Sequence, residues 1–158
     1  MVLQEFSRKV SPLPLQYSEI LGTDISSSVL FLAVAGRYDQ ISMSRGMPHD
    51  MRDRYFSNSG MLWKLNDKIR RMVVFKRMNL QDDFSPLGRF DVIFCRNVLI
   101  YFSDAFKRQL LSRFAEILNP AGYFFVGASE SMNVYTNRFV MINQNRHLYY
   151  QVNKEVRT

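Results

Sequence analysis

The chain has 158 residues, of which 47% are apolar, 14% aromatic and 22% charged, with a net charge of +7. That length and composition describe one globular domain with a sizeable core and exclude a disordered, collagenous or low-complexity chain. The basic residues run from Arg8 to Arg157 without a dense block, so the charge suits a solvated basic surface as well as any acidic partner.

Along the chain, Val2 to Val10 carries Leu3, Phe6 and Val10 at helical spacing and predicts one or two helical turns. Ser11-Pro12-Leu13-Pro14 stops them, because proline lacks an amide proton and restricts the residue before it. Tyr17 to Asp24 reads as a short strand ending in a carboxylate. Asp24 or Ser26 then caps a helix from Ser27 to Ala35, whose Val29, Leu30, Leu32 and Ala33 suit burial, and Gly36 ends it. In such a strand–Asp–helix unit the carboxylate is either a helix cap or an acceptor for ribose hydroxyls.

Residues 37 to 66 are less regular. Met47-Pro48-His49-Asp50 is a turn, Met51 to Phe56 a short helix, and Met61 to Leu65 a strand containing the one tryptophan. Asn66-Asp67-Lys68 predicts a tight turn and Ile69 to Phe75 a return strand, a small antiparallel excursion on an α/β core. Val73 to Met78 then rejoins the main sheet and ends at Asn79-Leu80.

Phe90 to Phe102 is the most informative stretch. Val92-Ile93-Phe94-Cys95 is short, apolar and rich in β-formers, which predicts a buried central strand. The pattern then breaks into Arg96-Asn97, two hydrogen-bonding side chains at the carboxyl end of that strand, where open α/β sheets bind ligands. Cys95 is the sole cysteine. It excludes an internal disulfide, points to a reducing compartment, and reads as a buried structural thiol. Asp104 to Leu118 is the clearest helix, with Phe106, Leu110, Leu111, Phe114, Ile117 and Leu118 at three- and four-residue spacing. Asn119-Pro120-Ala121-Gly122 stops it. Tyr123 to Gly127 is the next strand, leading into Ala128-Ser129-Glu130-Ser131, and Phe139 to Ile142 with His147 to Val152 form a terminal strand pair. Strands alternating with helices and finishing in an antiparallel pair place the chain in the α/β class, a doubly wound sheet with a mixed edge.

No apolar run approaches the roughly 18 residues of a membrane span, and the start has no signal-peptide core. His49 and His147 lack metal-ligand spacing. No groove-reading helix or aromatic-basic platform appears. The expectation is a cytoplasmic protein with no metal, no nucleic acid and no membrane insertion.

The segment Phe90-Asp-Val-Ile-Phe-Cys-Arg-Asn-Val-Leu-Ile-Tyr-Phe102 resembles the most recognisable segment of the chemotaxis receptor methyltransferase (CheR) family. Gly22-Thr-Asp-Ile-Ser, Gly36-Arg-Tyr, Arg54-Tyr-Phe, Val74-Phe-x-x-x-Asn79-Leu80, Leu118-x-Pro-x-Gly122-Tyr-Phe-Phe-Val-Gly and Ser129-Glu130-Ser131 extend the resemblance from about Tyr17 to Val152. It implies a Rossmann-like, S-adenosylmethionine-dependent enzyme that methylates glutamate side chains of bacterial chemoreceptors, giving glutamyl methyl esters and S-adenosylhomocysteine. By position, Asp24 resembles the ribose-binding acid, Asn79-Leu80 the pair beside the adenine, and Arg96-Asn97 the strand-end pair that contacts the cofactor. Tyr101 resembles the tyrosine near methyl transfer. Residues 46 to 71 resemble an antiparallel β-subdomain that in some members docks a receptor-tail peptide. For Asp24, Asn79, Arg96 and Tyr101 the plainer readings are a helix cap, a strand end, an ion pair and a packed aromatic.

One departure stands out. The family's first strand, and its Gly-rich loop running into Thr/Ser-Gly-Glu-Glu-Pro, have no counterpart upstream of Asp24, and neither does its N-terminal helical domain. The resemblance therefore implies a partial catalytic domain over residues 1–158, N-terminally truncated, with impaired cofactor binding and activity. The alternative is an inactive, CheR-like binding or scaffold protein in a signalling complex.

Overall fold

The computed structural model describes residues 1–10, 12 and 15–156, which fall into two units, Met1–Asn79 and Leu80–Thr158. The predicted proline stop at Ser11, Leu13 and Pro14 lies outside the described residues. In the first unit, α1 (Val2–Lys9) carries the predicted turns. Its buried Glu5 accepts hydrogen bonds from Arg54 (2.5 Å) and the Tyr55 hydroxyl (2.7 Å) and pairs with Arg8 and Lys9. After a 3₁₀ turn at Leu15–Tyr17, β1 (Ile20–Asp24) leads into α2 (Ser27–Ala35). Asp24 and Ser26 share the capping: Asp24 Oδ1 accepts from the Ser26 amide at 2.8 Å, and Ser26 Oγ from the Val29 amide at 3.4 Å. Gly36 closes the helix at φ 62°, a left-handed conformation that glycine adopts without steric penalty.

The antiparallel sheet of this unit is built from β2 (Arg37–Asp39), β3 (Phe56–Ser59) and β4 (Leu62–Leu65), in the order β2-β4-β3. Two of these strands, β3 and β4, fall within the 46–71 segment. α3 (Gln40–Ser44) and α4 (His49–Tyr55) connect β2 to β3. Met43, Tyr55, Phe56 and Ile69 form the buried cluster here, with Tyr38, Trp63 and Met72 packed against it.

The expected hairpin return at Ile69 to Phe75 does not form. Asn66 caps a short α5 (Asp67–Arg70) through its side chain, and β5 (Val73–Arg77) instead pairs in parallel with β1, Ile20 opposite Val73 and Asp24 opposite Arg77. The burial expected of α2 also fails. Val29, Phe31, Leu32 and Val34 are exposed, while Leu30 and Ala33 are half-buried, because the β1–β5 pair packs against one face of α2 only.

In the second unit a 3₁₀ turn (Ser85–Leu87) precedes β6 (Phe90–Cys95), and another (Leu99–Tyr101) precedes α6 (Asp104–Ile117). Ser103 caps α6 by accepting from the Phe106 amide. β7 (Leu118–Val126), β8 (Phe139–Gln144) and β9 (His147–Val152) follow, and the described residues end in a 3₁₀ turn at Lys154–Val156. The sheet order is β6-β7-β9-β8, with β6 and β7 parallel and the other pairs antiparallel. The predicted Asn119–Gly122 stop survives as a bulge: Leu118 pairs with Phe90, then the register shifts to Tyr123 opposite Val92.

Side-chain alternation separates two faces of this sheet. Phe124 faces α6, where Leu110, Leu111 and Phe114 are buried, and a ladder of rings runs Phe84–Phe114–Phe124–Phe139 at 5.2 to 5.3 Å. The opposite face carries Val92, Phe94, Tyr123 and Phe125. The predicted buried central strand is thus an edge strand of this sheet, with Val92 44% and Phe94 70% exposed, because α6 covers one face only. Phe94 stacks on Phe125 at 4.9 Å.

Candidate functional site

Parallel strands deliver their carboxyl ends to the same edge, and loops leaving that edge meet. Cys95 and Val126 are the last register partners of β6 and β7. Arg96-Asn97 follows the first strand, and the Gly127–Ser131 turn follows the second. Asn97 takes φ 58°, a left-handed conformation unusual for a side-chain-bearing residue and least unfavourable for Asn. Glu130 holds this turn although it lies 33 residues away. Its Oε2 accepts from the amides of Gly127 (2.6 Å) and Asn97 (2.8 Å), and its Oε1 from those of Val98 (3.0 Å) and Ile100 (3.3 Å). Gly127 leaves room for both side chains of this turn. A Cβ on it would lie 2.5 Å from Asn97 Oδ1 and 2.6 Å from Glu130 Oε2.

Burial would push the Glu130 carboxyl up, but the amides of Asn97, Gly127, Ile100 and Leu99 outweigh it and hold the group below its ordinary range. Beneath the turn, burial and the nearby Glu130 charge push the Cys95 thiol up to about 12. That thiol is a packed, protonated group, in keeping with its sequence reading. Arg96 and Asn97 themselves are exposed. Tyr101 closes the 3₁₀ turn anchored by the buried Leu99, and at 79% exposure its side chain faces solvent.

Leu80 is tethered to α6. The Arg113 guanidinium donates to the Leu80 carbonyl at 3.0 Å and to that of Asp82, and lies 4.1 Å from the centroid of Phe84. In the first unit, Asp24 and Arg77 are the last partners of the parallel pair, and the Met78 amide donates to the Asp24 carbonyl at 2.9 Å. Asn79 is the next residue, so it leaves the same edge that Asp24 occupies. The structure thus brings Asp24 and Asn79 to one strand edge, and Arg96 and Asn97 to another beside Glu130.

Among the described residues no group of three or more His, Cys, Asp or Glu side chains is placed to hold a metal ion, and no helix is long and apolar enough to cross a membrane. Glu130 and Arg113 were not singled out as site residues from the sequence. For Glu130 the available signal is an acid three residues beyond the glycine that ends a strand. Arg113 had none, since it reads as one of several basic residues on a solvated helix face.

The family described as CheR methyltransferase, SAM binding domain, matches residues 1–148. The chain belongs to this family. It is 40% identical over 152 residues to a chemotaxis protein methyltransferase of Vibrio parahaemolyticus, covering 96% of this chain and 54% of that one. With chemotaxis protein methyltransferase 1 of Pseudomonas aeruginosa it shares 44% identity over 125 residues, 78% of this chain and 46% of the relative. The chain spans about half the length of the curated relatives it matches. Among solved structures, PKMT2 from Rickettsia typhi in complex with AdoHcy aligns with a TM-score of 0.45 at 22% identity, over 78% of this chain and 18% of that one, a likeness too remote to support an argument.

The cofactor of this CheR domain is S-adenosylmethionine. Each unit presents polar groups at a strand end: the first the Asp24 carboxylate, an acceptor suited to hydroxyls, and the second the exposed Arg96 and Asn97 side chains beside a turn whose amides are satisfied internally.

Proposed function

We propose that this chain carries the cofactor-binding part of a protein-glutamate O-methyltransferase that esterifies glutamate side chains in the cytoplasmic domain of bacterial chemoreceptors. The observation that carries this reading is the family match over residues 1–148, supported by the strand-end turn at Arg96-Asn97. In this reading Asp24 accepts hydrogen bonds from the ribose hydroxyls, Asn79 and Leu80 flank the adenine, and Arg96 and Asn97 contact the cofactor from the end of β6. Tyr101, with an exposed hydroxyl, orients the incoming carboxylate. The sheet β2-β4-β3 offers a receptor-tail peptide a docking place, and the protein works in the cytoplasm.

When bound, S-adenosylmethionine supplies a methyl group already activated on sulfonium. The protein has then only to align the glutamate with it and exclude water. A glutamate attacks as the carboxylate, so no strong base is required. Neither Glu130, whose oxygens are engaged by amides, nor the protonated Cys95 is called on for one. Each ester removes one negative charge from the receptor.

The test is transfer of labelled methyl from S-adenosylmethionine to a purified receptor cytoplasmic domain, by this chain and by a version extended at its N-terminus. Base-labile label on receptor glutamates, lost in Asp24→Ala and reduced in Tyr101→Phe, is the expected result. The impaired activity expected of the shorter chain would appear as weaker label than the extended one gives. Absence of transfer by both, with cofactor binding intact, would refute glutamate methylation. Receptor capture without transfer would favour the scaffold reading.

A further inference from the structure

We propose that Glu130 is the positioning residue of the strand-end turn, fixing the backbone conformation from which Arg96 and Asn97 meet the cofactor; this rests on the functional reading above. Two loops that leave neighbouring parallel strands have no reason in their own sequences to adopt a common shape. One carboxylate joins them. Its two oxygens each take one pair of main-chain amides, from Gly127 and Asn97 on one side and from Val98 and Ile100 on the other. The left-handed backbone at Asn97 is strained for any residue with a side chain, and it persists where surrounding bonds over-determine it. The Asn97 side chain lies over Gly127 in the space a methyl group would fill. The contacts run from main-chain amides to the carboxylate, so it is the backbone of the turn that Glu130 holds.

The same geometry excludes a catalytic task for Glu130. An acid or base must exchange a proton with substrate, and here the oxygens are occupied by donors that do not titrate. The titratable groups around it are few. Cys95 lies at the end of β6, and Lys107 and Tyr135 line the shallow cleft beside it, where Lys107 is engaged by Asp104 (3.1 Å) and the Tyr135 hydroxyl (3.2 Å).

Amide resonances of the isotopically labelled 158-residue chain test the proposal directly. The Asn97, Val98, Ile100 and Gly127 signals should titrate together in acid, below the range of an ordinary carboxylate, and should all move in Glu130→Gln. Gly127→Ala, which displaces the carboxylate from the opposite side, should move the same set. Thermal melting of each variant identifies one that fails to fold, and the two approach the turn independently. S-adenosylhomocysteine titrated to millimolar concentration should then bind at least about tenfold more weakly to both variants. Glu116→Gln, which alters an exposed partner of Arg138, should leave binding unchanged. Amides that ignore Glu130→Gln, or that titrate separately, overturn the proposal. So does unchanged affinity in folded variants. Four amides that respond in a wild-type chain that binds no cofactor, even when extended at its N-terminus, would refute the functional reading, and with it the role assigned to Glu130, while leaving the amide contacts standing.

Discussion

Replacing Arg113 by methionine isolates the tie between α6 and the segment carrying Leu80. The guanidinium holds the Leu80 and Asp82 carbonyls and covers Phe84, a ring only 2% exposed. Hydrogen bonds from a charged donor contribute about 1.5–3 kcal/mol where water cannot replace them. Here Gln81, Asp82 and Asp83 are exposed, so both carbonyls recover solvent in the variant, and about 1 kcal/mol each is the fitting value. The cation over the ring adds about 0.5–1 kcal/mol. Methionine keeps the aliphatic stem, so Arg113→Met should destabilise the second unit by about 2–3 kcal/mol, a fall of about 10 °C or more in its melting midpoint. Urea unfolding followed by circular dichroism measures the loss. Arg113→Lys, which keeps the charge but reaches one carbonyl, should fall between the two. A loss under about 0.5 kcal/mol for methionine, or a lysine variant as stable as wild type, would refute the idea that the two-carbonyl fork holds this segment.

The Glu5 carboxyl is held far below its usual range by Arg54, Tyr55 and Arg8, so on acidification the unfolded chain takes up a proton first. Its stabilising contribution is whole above about pH 5 and is lost as pH falls toward the folded value; melting between pH 6 and pH 3 (roughly the carboxylate range) should be steeper in wild type than in Glu5→Gln, and equal slopes would contradict this. With its thiol pushed up to about 12 and its side chain buried, Cys95 should resist an aromatic disulfide reagent at neutral pH until denaturant is added, whereas prompt reaction would show it accessible. Leu110 is 0% exposed between α6 and the sheet, so Leu110→Ala should cost about 3 kcal/mol in urea unfolding with an unchanged denaturant slope; a cost below about 1 kcal/mol would mean the site collapses around the missing atoms.

What could be read from sequence was local. The α6 helix announces itself through Ser103, its apolar spacing and the Asn-Pro-Ala-Gly stop, all within one stretch of chain. The Asp24–Ser26 cap and the Gly36 stop are of the same kind, as is the terminal hairpin, turned at Asn145 and Arg146 with positive φ. What escaped depends on distant partners. Nothing in Ile69 to Phe75 says that its second half will run parallel to β1 instead of returning along β4, because the choice lies in Ile20 to Asp24. The apolar run in β6 suits a central or an edge position equally, and only its neighbours decide. Side-chain type showed Asp24, Arg96 and Asn97 as polar groups at strand ends, while Tyr101, on the 3₁₀ turn beyond β6, stood out only through the family resemblance. The two side chains that hold such segments in place, Glu130 and Arg113, bind main-chain atoms about 30 residues away, and main-chain atoms leave no mark in sequence.

Four amides converging on one point at the end of parallel strands are, in many α/β proteins, a cradle for phosphate. In this chain the cradle is filled from within. A ligand relying on a phosphate at this edge would have to displace a carboxylate bound through both oxygens and meet its negative charge. While Glu130 holds them, these four amides are not free to bind a phosphate.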